Sequence, residues 1–285
     1  MKNIKIAFFD VDGTLVNNTS KKIIKTEMEK VPKSTVEAIK KLQERGIDVV
    51  IATGRPPYMI KDLCKGLNIT DYICFNGKYA KINNEVIIDQ PHTNEFLYQV
   101  NDYIYKKELP ILYMNLNNYE IHGKNQKIIA DALNDMGLPK PYFSKNKSVP
   151  NKKIYQISIG VKQCNETEIK KFFPIKSMRW HESTSDFILN NQSKANTIND
   201  IIKILKIEHS QTIAFGDGIN DVEMLQTVGF GIAMGNGHEK TKQVADYVTK
   251  NIDEDGVWYA LKKLEIIWGN YEKNNGIWYW IWFRK

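Results

Sequence analysis

The short apolar run Ile4 to Phe9 stops at two acids two residues apart, Asp10-Val11-Asp12, followed by Gly13-Thr14. A continuous apolar segment of this length suits a strand buried on both faces of a parallel sheet. In open α/β sheets, ligands bind at the carboxyl ends of such strands, where these acids stand. Residues two apart on an extended chain point the same way, about 7 Å apart at roughly 3.3 Å per residue. Asp10 and Asp12 can therefore flank one reacting group, one attacking while the other moves protons. Gly13 allows a tight turn that frees backbone N–H groups to face an anion.

Strand and helix signals alternate around this feature. A helix is expected after Pro32, with Ser34 and Glu37 as a capping box, Val36, Ile39 and Leu42 at helical spacing, and Gly46 as its stop. Ile47 to Ala52 reads as a second strand, ending at Thr53-Gly54-Arg55. A helical run Ala195 to Leu205 precedes a third strand, Thr212 to Phe215, which ends at Gly216-Asp217-Gly218-Ile219-Asn220-Asp221. This pattern predicts a doubly wound, parallel-sheet, Rossmann-like α/β core. Between about Lys78 and Asn190 it changes to hairpin-like strands (Tyr79 to Ile82, Val86 to Ile88) and amphipathic helices around Phe96 to Tyr105 and Ile128 to Met136. Further strands are expected at Ile154 to Val161 and Phe187 to Leu189, with loops at Lys140 to Lys153 and His181 to Ser185. The expected organisation is a core of residues 1–80 and 187–267, an inserted α+β cap of residues 81–186, and a tail of residues 268–285.

Three strand ends thus carry polar groups to one edge. Asp217 and Asp221 add carboxylates to Asp10 and Asp12, and clustered hard oxygens at a phosphate-receiving site suit Mg²⁺ better than zinc. Repulsion among the acids and a phosphate calls for cations, and Lys194, at the start of the Ala195 helix, is the best protein candidate. Thr53 can donate its hydroxyl hydrogen to a phosphoryl oxygen. Each signal alone also has an ordinary reading: a surface pair of acids, a helix entry, or a cap at Ser193 followed by a solvated lysine.

Taken together, FFDVDGTLV, ATGR, Lys194 in NQSKANTI and FGDGINDVEML resemble the four motifs of the haloacid dehalogenase superfamily, in its Cof-type (class IIB) phosphatase branch. The likeness runs from residue 1 to about 267. It implies that Asp10 is the nucleophile and a Mg²⁺ ligand. Asp12 would protonate the leaving oxygen and then activate water. Thr53, Gly54, Lys194 and Asn220 would hold phosphate, and Asp217 and Asp221, with Asp10 and Asp12, would form the metal set. The chain departs from the pattern in having Ala195, where glycine commonly follows the lysine. Two alternatives stay open: a phosphomutase, and a catalytically silent phosphate-binding protein.

A net charge of +7 favours anionic ligands, and the scattered lysines read as a solvated surface rather than a nucleic-acid groove; the partner that the resemblance implies is a small phosphorylated substrate, with no nucleic acid expected. Three cysteines without metal-type spacing, Cys64, Cys74 and Cys164, and no readable export signal fit a reducing cytoplasm. The tail carries Trp268, Trp278, Trp280 and Trp282, with Ile277 to Phe283 too short to span a bilayer; membrane or subunit contact through it is the weaker expectation beside packing on its own domain. The sequence leaves the oligomeric state undetermined. It offers Tyr113, Asn115, Tyr119, His122, Tyr155, Arg179 and His181 as unranked cap candidates for the leaving group.

Overall fold

The computed structural model describes residues 3–18 and 26–267. The tail expectations lie outside these residues. The chain divides into two compact units, one drawn from Met1–Ala52, Asp62–Tyr72 and Ile198–Lys285, the other from Thr53–Lys61 and Ile73–Thr197.

The first unit is built on parallel strands in the spatial order Tyr247–Val248, Phe230–Ala233, Thr212–Gly216, Ile6–Phe9, Asp48–Ala52. Ile6–Phe9 is wholly buried, as its apolar run requires. Its neighbours come from the distant Thr212 and Asp48 segments, so the sheet is wound outwards in both directions from it. The carboxyl end of Ile6–Phe9 is therefore a switch point. Phe9 and Phe215 stand opposite each other in register, and their rings stack at 4.8 Å. The ladder continues one step further, with the Asp10 N–H donating to the Phe215 carbonyl at 3.0 Å. That bond brings the first acid and the Gly216 loop to one end of the sheet.

The helix after Pro32 runs Lys33–Glu44, with Thr35, Ala38, Ile39 and Leu42 buried. Its expected capping box does not form: Pro32 occupies the cap, and Ser34 Oγ donates instead to Asp255 Oδ1 at 2.5 Å. The tertiary partner outcompetes the local one. Gly46 ends the helix as expected, at φ 69°, with its N–H bonded to Gln43 O and that of Ile47 to Leu42 O.

The second unit holds a sheet in the order Ile175–His181, Thr184–Leu189, Gln156–Gly160, Pro110–Met114, Tyr119–Gly123, Tyr142–Phe143. All pairs are antiparallel except the last. The Asn94–Lys106 and Glu166–Phe172 helices contribute Leu97, Val100, Ile104 and Ile169 to a core with Ile111, Tyr113, Ile157, Ile159 and Phe187 on one sheet face. The Tyr79–Ile82 and Glu85–Asp89 strands form the expected hairpin. Two loop assignments are corrected. Tyr142 and Phe143 pair with Glu120 and Ile121, and the His181 to Ser185 stretch is a tight hairpin in which His181 stands opposite Thr184. No helix among the described residues is long and apolar enough to cross a membrane.

Candidate active site

Asp10 is 5% exposed and Asp221 fully buried, and each of Asp10, Asp217 and Asp221 offers an oxygen within 4.8 Å of the others. The loop after Thr212–Gly216 builds this cluster. Asp221 Oδ2 accepts the N–H groups of Asp217 and Gly218, both at 2.9 Å, which curls the loop back over the strand end and fixes where Asp217 starts. His238 N–H binds the Asp217 carbonyl at 2.8 Å, and Thr241 Oγ1 donates to the Gly218 carbonyl at 2.7 Å. Asn220, partly exposed, lies in the Ile219–Asp221 turn of the same loop.

Asp12 does not join the three. It is exposed, and the Asn18 amide donates to its Oδ1 at 2.6 Å. The regular strand ends at Phe9, and the N–H groups of Thr14, Leu15 and Val16 all turn back to the Val11 carbonyl, so period-two alternation no longer governs Asp12. Gly13 holds the turn at φ 80°. Asn236, which sequence reasoning missed, anchors it by donating to the Gly13 carbonyl at 2.8 Å while accepting the Ile252 N–H. A Cβ at Gly13 would lie 2.1 Å from Asp217 Oδ2. Gly13→Ala is therefore expected to lower stability by about 1–3 kcal/mol and to weaken metal binding with it, because both φ and Asp217 must give way. Denaturant midpoints and metal titration check this; unchanged values in both would mean that the turn relaxes freely.

Thr53, Gly54 and Lys194 belong to the second unit. Thr53 is 1% exposed, its N–H on the Ile73 carbonyl and its own carbonyl accepting from Asn76 N–H. Its Oγ1 accepts the Arg55 N–H at 3.1 Å, which leaves the hydroxyl hydrogen to donate. Gly54 is needed because a Cβ there would sit 2.9 Å from Asn76 Nδ2. Lys194 opens the Lys194–Leu205 helix and is 1% exposed, so the solvated-lysine reading fails. A lysine so buried requires acceptors around it. The Phe75–Gly77 turn links these two elements: Gln192 Nε2 donates to the Phe75 carbonyl at 2.6 Å and Thr197 Oγ1 to that of Gly77 at 2.7 Å. Asn76, in this turn, was not identified from sequence; Asn-Gly between two strand signals was the available clue.

Carboxylates this close repel one another, and a hard divalent cation offsets the repulsion. Oxygens on one Mg²⁺ at about 2.1 Å are at most about 4.2 Å apart, so the Asp10, Asp217 and Asp221 set needs only a small contraction to hold it. The donor set fits such an ion.

A family model for haloacid dehalogenase-like hydrolases matches residues 7–261. The chain is 30% identical, over 92% of its length and 98% of the relative's, to the Bacillus subtilis (strain 168) protein named "Putative phosphatase YkrA". A crystal structure of a hypothetical protein from Geobacillus kaustophilus HTA426 is similar at a TM-score of 0.81 and 34% identity, over 92% of this chain and 99% of that one. The structure of the subclass IIB sugar phosphatase BT4131 is similar at a TM-score of 0.77 and 29% identity, also over 92% and 99%. With the acids and glycines of the first and fourth motifs gathered at a switch point, these likenesses show that the chain belongs to the haloacid dehalogenase-like hydrolases, in their Cof-type, subclass IIB phosphatase branch.

Proposed function

We propose that the chain is a Mg²⁺-dependent phosphatase that hydrolyses a small phosphorylated metabolite through a phosphorylated Asp10. The observation that carries this reading is a buried carboxylate, Asp10, clustered with Asp217 and Asp221 at the end of a central strand. An Asp10 oxygen attacks phosphorus while the ester P–O bond breaks and Asp12 gives its proton to the departing oxygen. Asp12 then takes a proton from water, whose oxygen attacks the same phosphorus, releasing phosphate and restoring the Asp10 carboxylate. Two moderate displacements replace one difficult one. Thr53 Oγ1 and the Lys194 ammonium neutralise the phosphoryl oxygens, with Gly54 giving close backbone approach and Asn220 a further amide. Asp10, Asp217 and Asp221 would hold Mg²⁺, which supplies charge neutralisation of the transferring group. The catalytic core is taken as residues 1–80 and 187–267, with residues 81–186 as the cap that meets the leaving group. A cytoplasmic enzyme fits Cys64, Cys74 and Cys164, none of which is in a disulfide.

Phosphate release from 4-nitrophenyl phosphate is expected with Mg²⁺ and to fall by roughly 100-fold or more in a chelator, since the clustered acids would then repel the substrate. Excess Ca²⁺ is expected to inhibit, because it accepts looser, higher coordination. Undiminished turnover in chelator would end the metal assignment. Transfer of phosphate to an added sugar in preference to water would favour the phosphomutase alternative.

A further inference from the structure

The segment that follows the Phe230–Ala233 strand ties together several distant loops, all of them in the first unit. Met234 N–H extends the ladder onto the Gly216 carbonyl at 2.9 Å, and Gly235 N–H binds the Lys250 carbonyl at 3.0 Å. His238 N–H holds the Asp217 carbonyl at 2.8 Å. Between them the Asn236 amide spans two more groups: its Nδ2 donates to the Gly13 carbonyl and its Oδ1 accepts the Ile252 N–H, both at 2.8 Å. One bracket therefore grips both the turn that carries Asp12 and the loop that carries Asp217.

The bond to Gly13 matters because the turn does not close onto that carbonyl itself. Its own N–H groups go elsewhere: those of Thr14, Leu15 and Val16 to the Val11 carbonyl, and that of Gly13 to the Val16 carbonyl. The Asn236 amide has one orientation in which it can serve. The Ile252 N–H can only donate and the Gly13 carbonyl can only accept, so the amide oxygen must face the first and the nitrogen the second. Neither aspartate nor leucine, of similar shape, offers both groups. Asn236 is itself exposed, so it makes these bonds without being needed to fill the core.

We propose that Asn236 is a positioning residue for Asp12: through the Gly13 carbonyl it sets where the proton donor stands relative to the leaving oxygen. The proposal rests on the phosphatase reading above and adds the residue that holds its acid in place. Asp12 is exposed and lies beyond the regular strand, so core packing does not fix it and the turn must. A misplacement of about 1 Å is enough to cost on the order of 100-fold in rate. Asp10 is tethered separately, by its own N–H on the Phe215 carbonyl. Loss of the Asn236 amide should therefore disturb the acid and spare the nucleophile.

The test compares wild type, Asn236→Ala, Asn236→Asp, Asp12→Ala and the Asp12→Ala/Asn236→Ala double variant on n-hexyl phosphate and 4-nitrophenyl phosphate with Mg²⁺. Asn236→Ala should lower kcat for n-hexyl phosphate by about 10–100-fold, keep KM within about twofold, and leave first-turnover release of 4-nitrophenolate within about threefold. Asn236→Asp keeps an acceptor for the Ile252 N–H but sets an oxygen against the Gly13 carbonyl, so it should show the same split with the other tether intact. In the Asp12→Ala background, Asn236→Ala should change either ester by less than about twofold, because no acid remains to be positioned. Asn251→Ala is the structural control: it removes the capping box of the adjoining Ile252–Glu254 turn, and should lower the melting temperature while leaving the ratio of the two esters within about twofold. An unchanged n-hexyl rate in both Asn236 variants, equal losses on both esters, or a loss that persists undiminished without Asp12 would overturn the positioning role. The same split in Asn251→Ala would overturn it too. A wild type that hydrolyses neither ester would overturn the phosphatase reading and this role with it.

Discussion

Asp10→Asn is expected to lower kcat by roughly 10⁴-fold or more while the protein stays folded, a loss on the scale seen when a covalent nucleophile is removed. The amide oxygen is a poor nucleophile toward phosphorus and gives up a charge at the proposed metal site. The fold has little reason to change. Asn fills the same volume, and the bond that fixes the position, Asp10 N–H to the Phe215 carbonyl, belongs to the backbone. Removing one of three carboxylates that lie within 4.8 Å of one another also relieves repulsion, so without metal the variant should melt no lower than wild type. Added Mg²⁺ should then stabilise the variant less than wild type, because stabilisation follows affinity. Turnover, melting temperature and the Mg²⁺-dependent shift are measured on the same two proteins. Residual activity within tenfold of wild type would place the nucleophile elsewhere.

The strand ends were legible because a buried parallel strand needs an unbroken apolar run, and a polar motif that interrupts such a run marks where the chain emerges. Ile6–Phe9 and Asp48–Ala52 lie within a residue or two of their expected bounds for that reason. Misreadings occur where long-range partners decide. Ser34 sits in a capping-box sequence, yet bonds to Asp255 from a distant segment. Tyr142 and Phe143 form a strand only because Glu120 and Ile121 offer an edge. Asp10 and Asp12 both lie beyond the strand end at Phe9, in the segment that leads into the turn at Gly13.

The second unit shows the same division between local and non-local information. Of the residues singled out there, Tyr113 and His122 lie on the core-facing side, and Arg179 pairs with Glu166 at 2.5 Å. Asn115 closes its own turn by accepting the N–H groups of Asn117 and Asn118, and the Tyr155 ring stacks on Phe75. Tyr119 stands opposite Met114, which stands opposite Gln156, and His181 stands opposite Thr184 on the same side of the sheet. Gln156 and Ser158 were visible in principle, since Q-I-S-I-G alternates polar with apolar residues at period two, although all five are buried in the folded sheet. Asp186 carried no such signal. Its place depends on the register that sets it beside Ser158, and register between strands about 30 residues apart is not written in either strand alone.

Asp12→Ala is expected to separate two classes of ester, because the role proposed for this residue depends on what leaves, whereas a structural acid would have no such dependence. Alkyl phosphates expel a basic alkoxide that needs a proton as the P–O bond breaks, so their turnover should fall by about 10²–10⁴-fold, the range of general acid–base catalysis. Aryl phosphates expel a stable phenolate and should lose less in the first step. The second step suffers for both, since water must attack phosphoryl-Asp10 without a base. With 4-nitrophenyl phosphate the variant should therefore release a rapid burst of phenolate, close to one equivalent per enzyme, and then turn over slowly. Asp12 is exposed and accepts from the Asn18 amide, so alanine there leaves no cavity to collapse. A folding defect is accordingly not expected, and circular dichroism of the same preparation checks it. Rapid mixing, acid quench and mass measurement should find the phosphorylated chain at high occupancy in the variant and at low occupancy in wild type. Equal losses for alkyl and aryl esters, with no trapped phosphoenzyme, would remove Asp12 from proton transfer and leave the Asp10 assignment to stand on its own test.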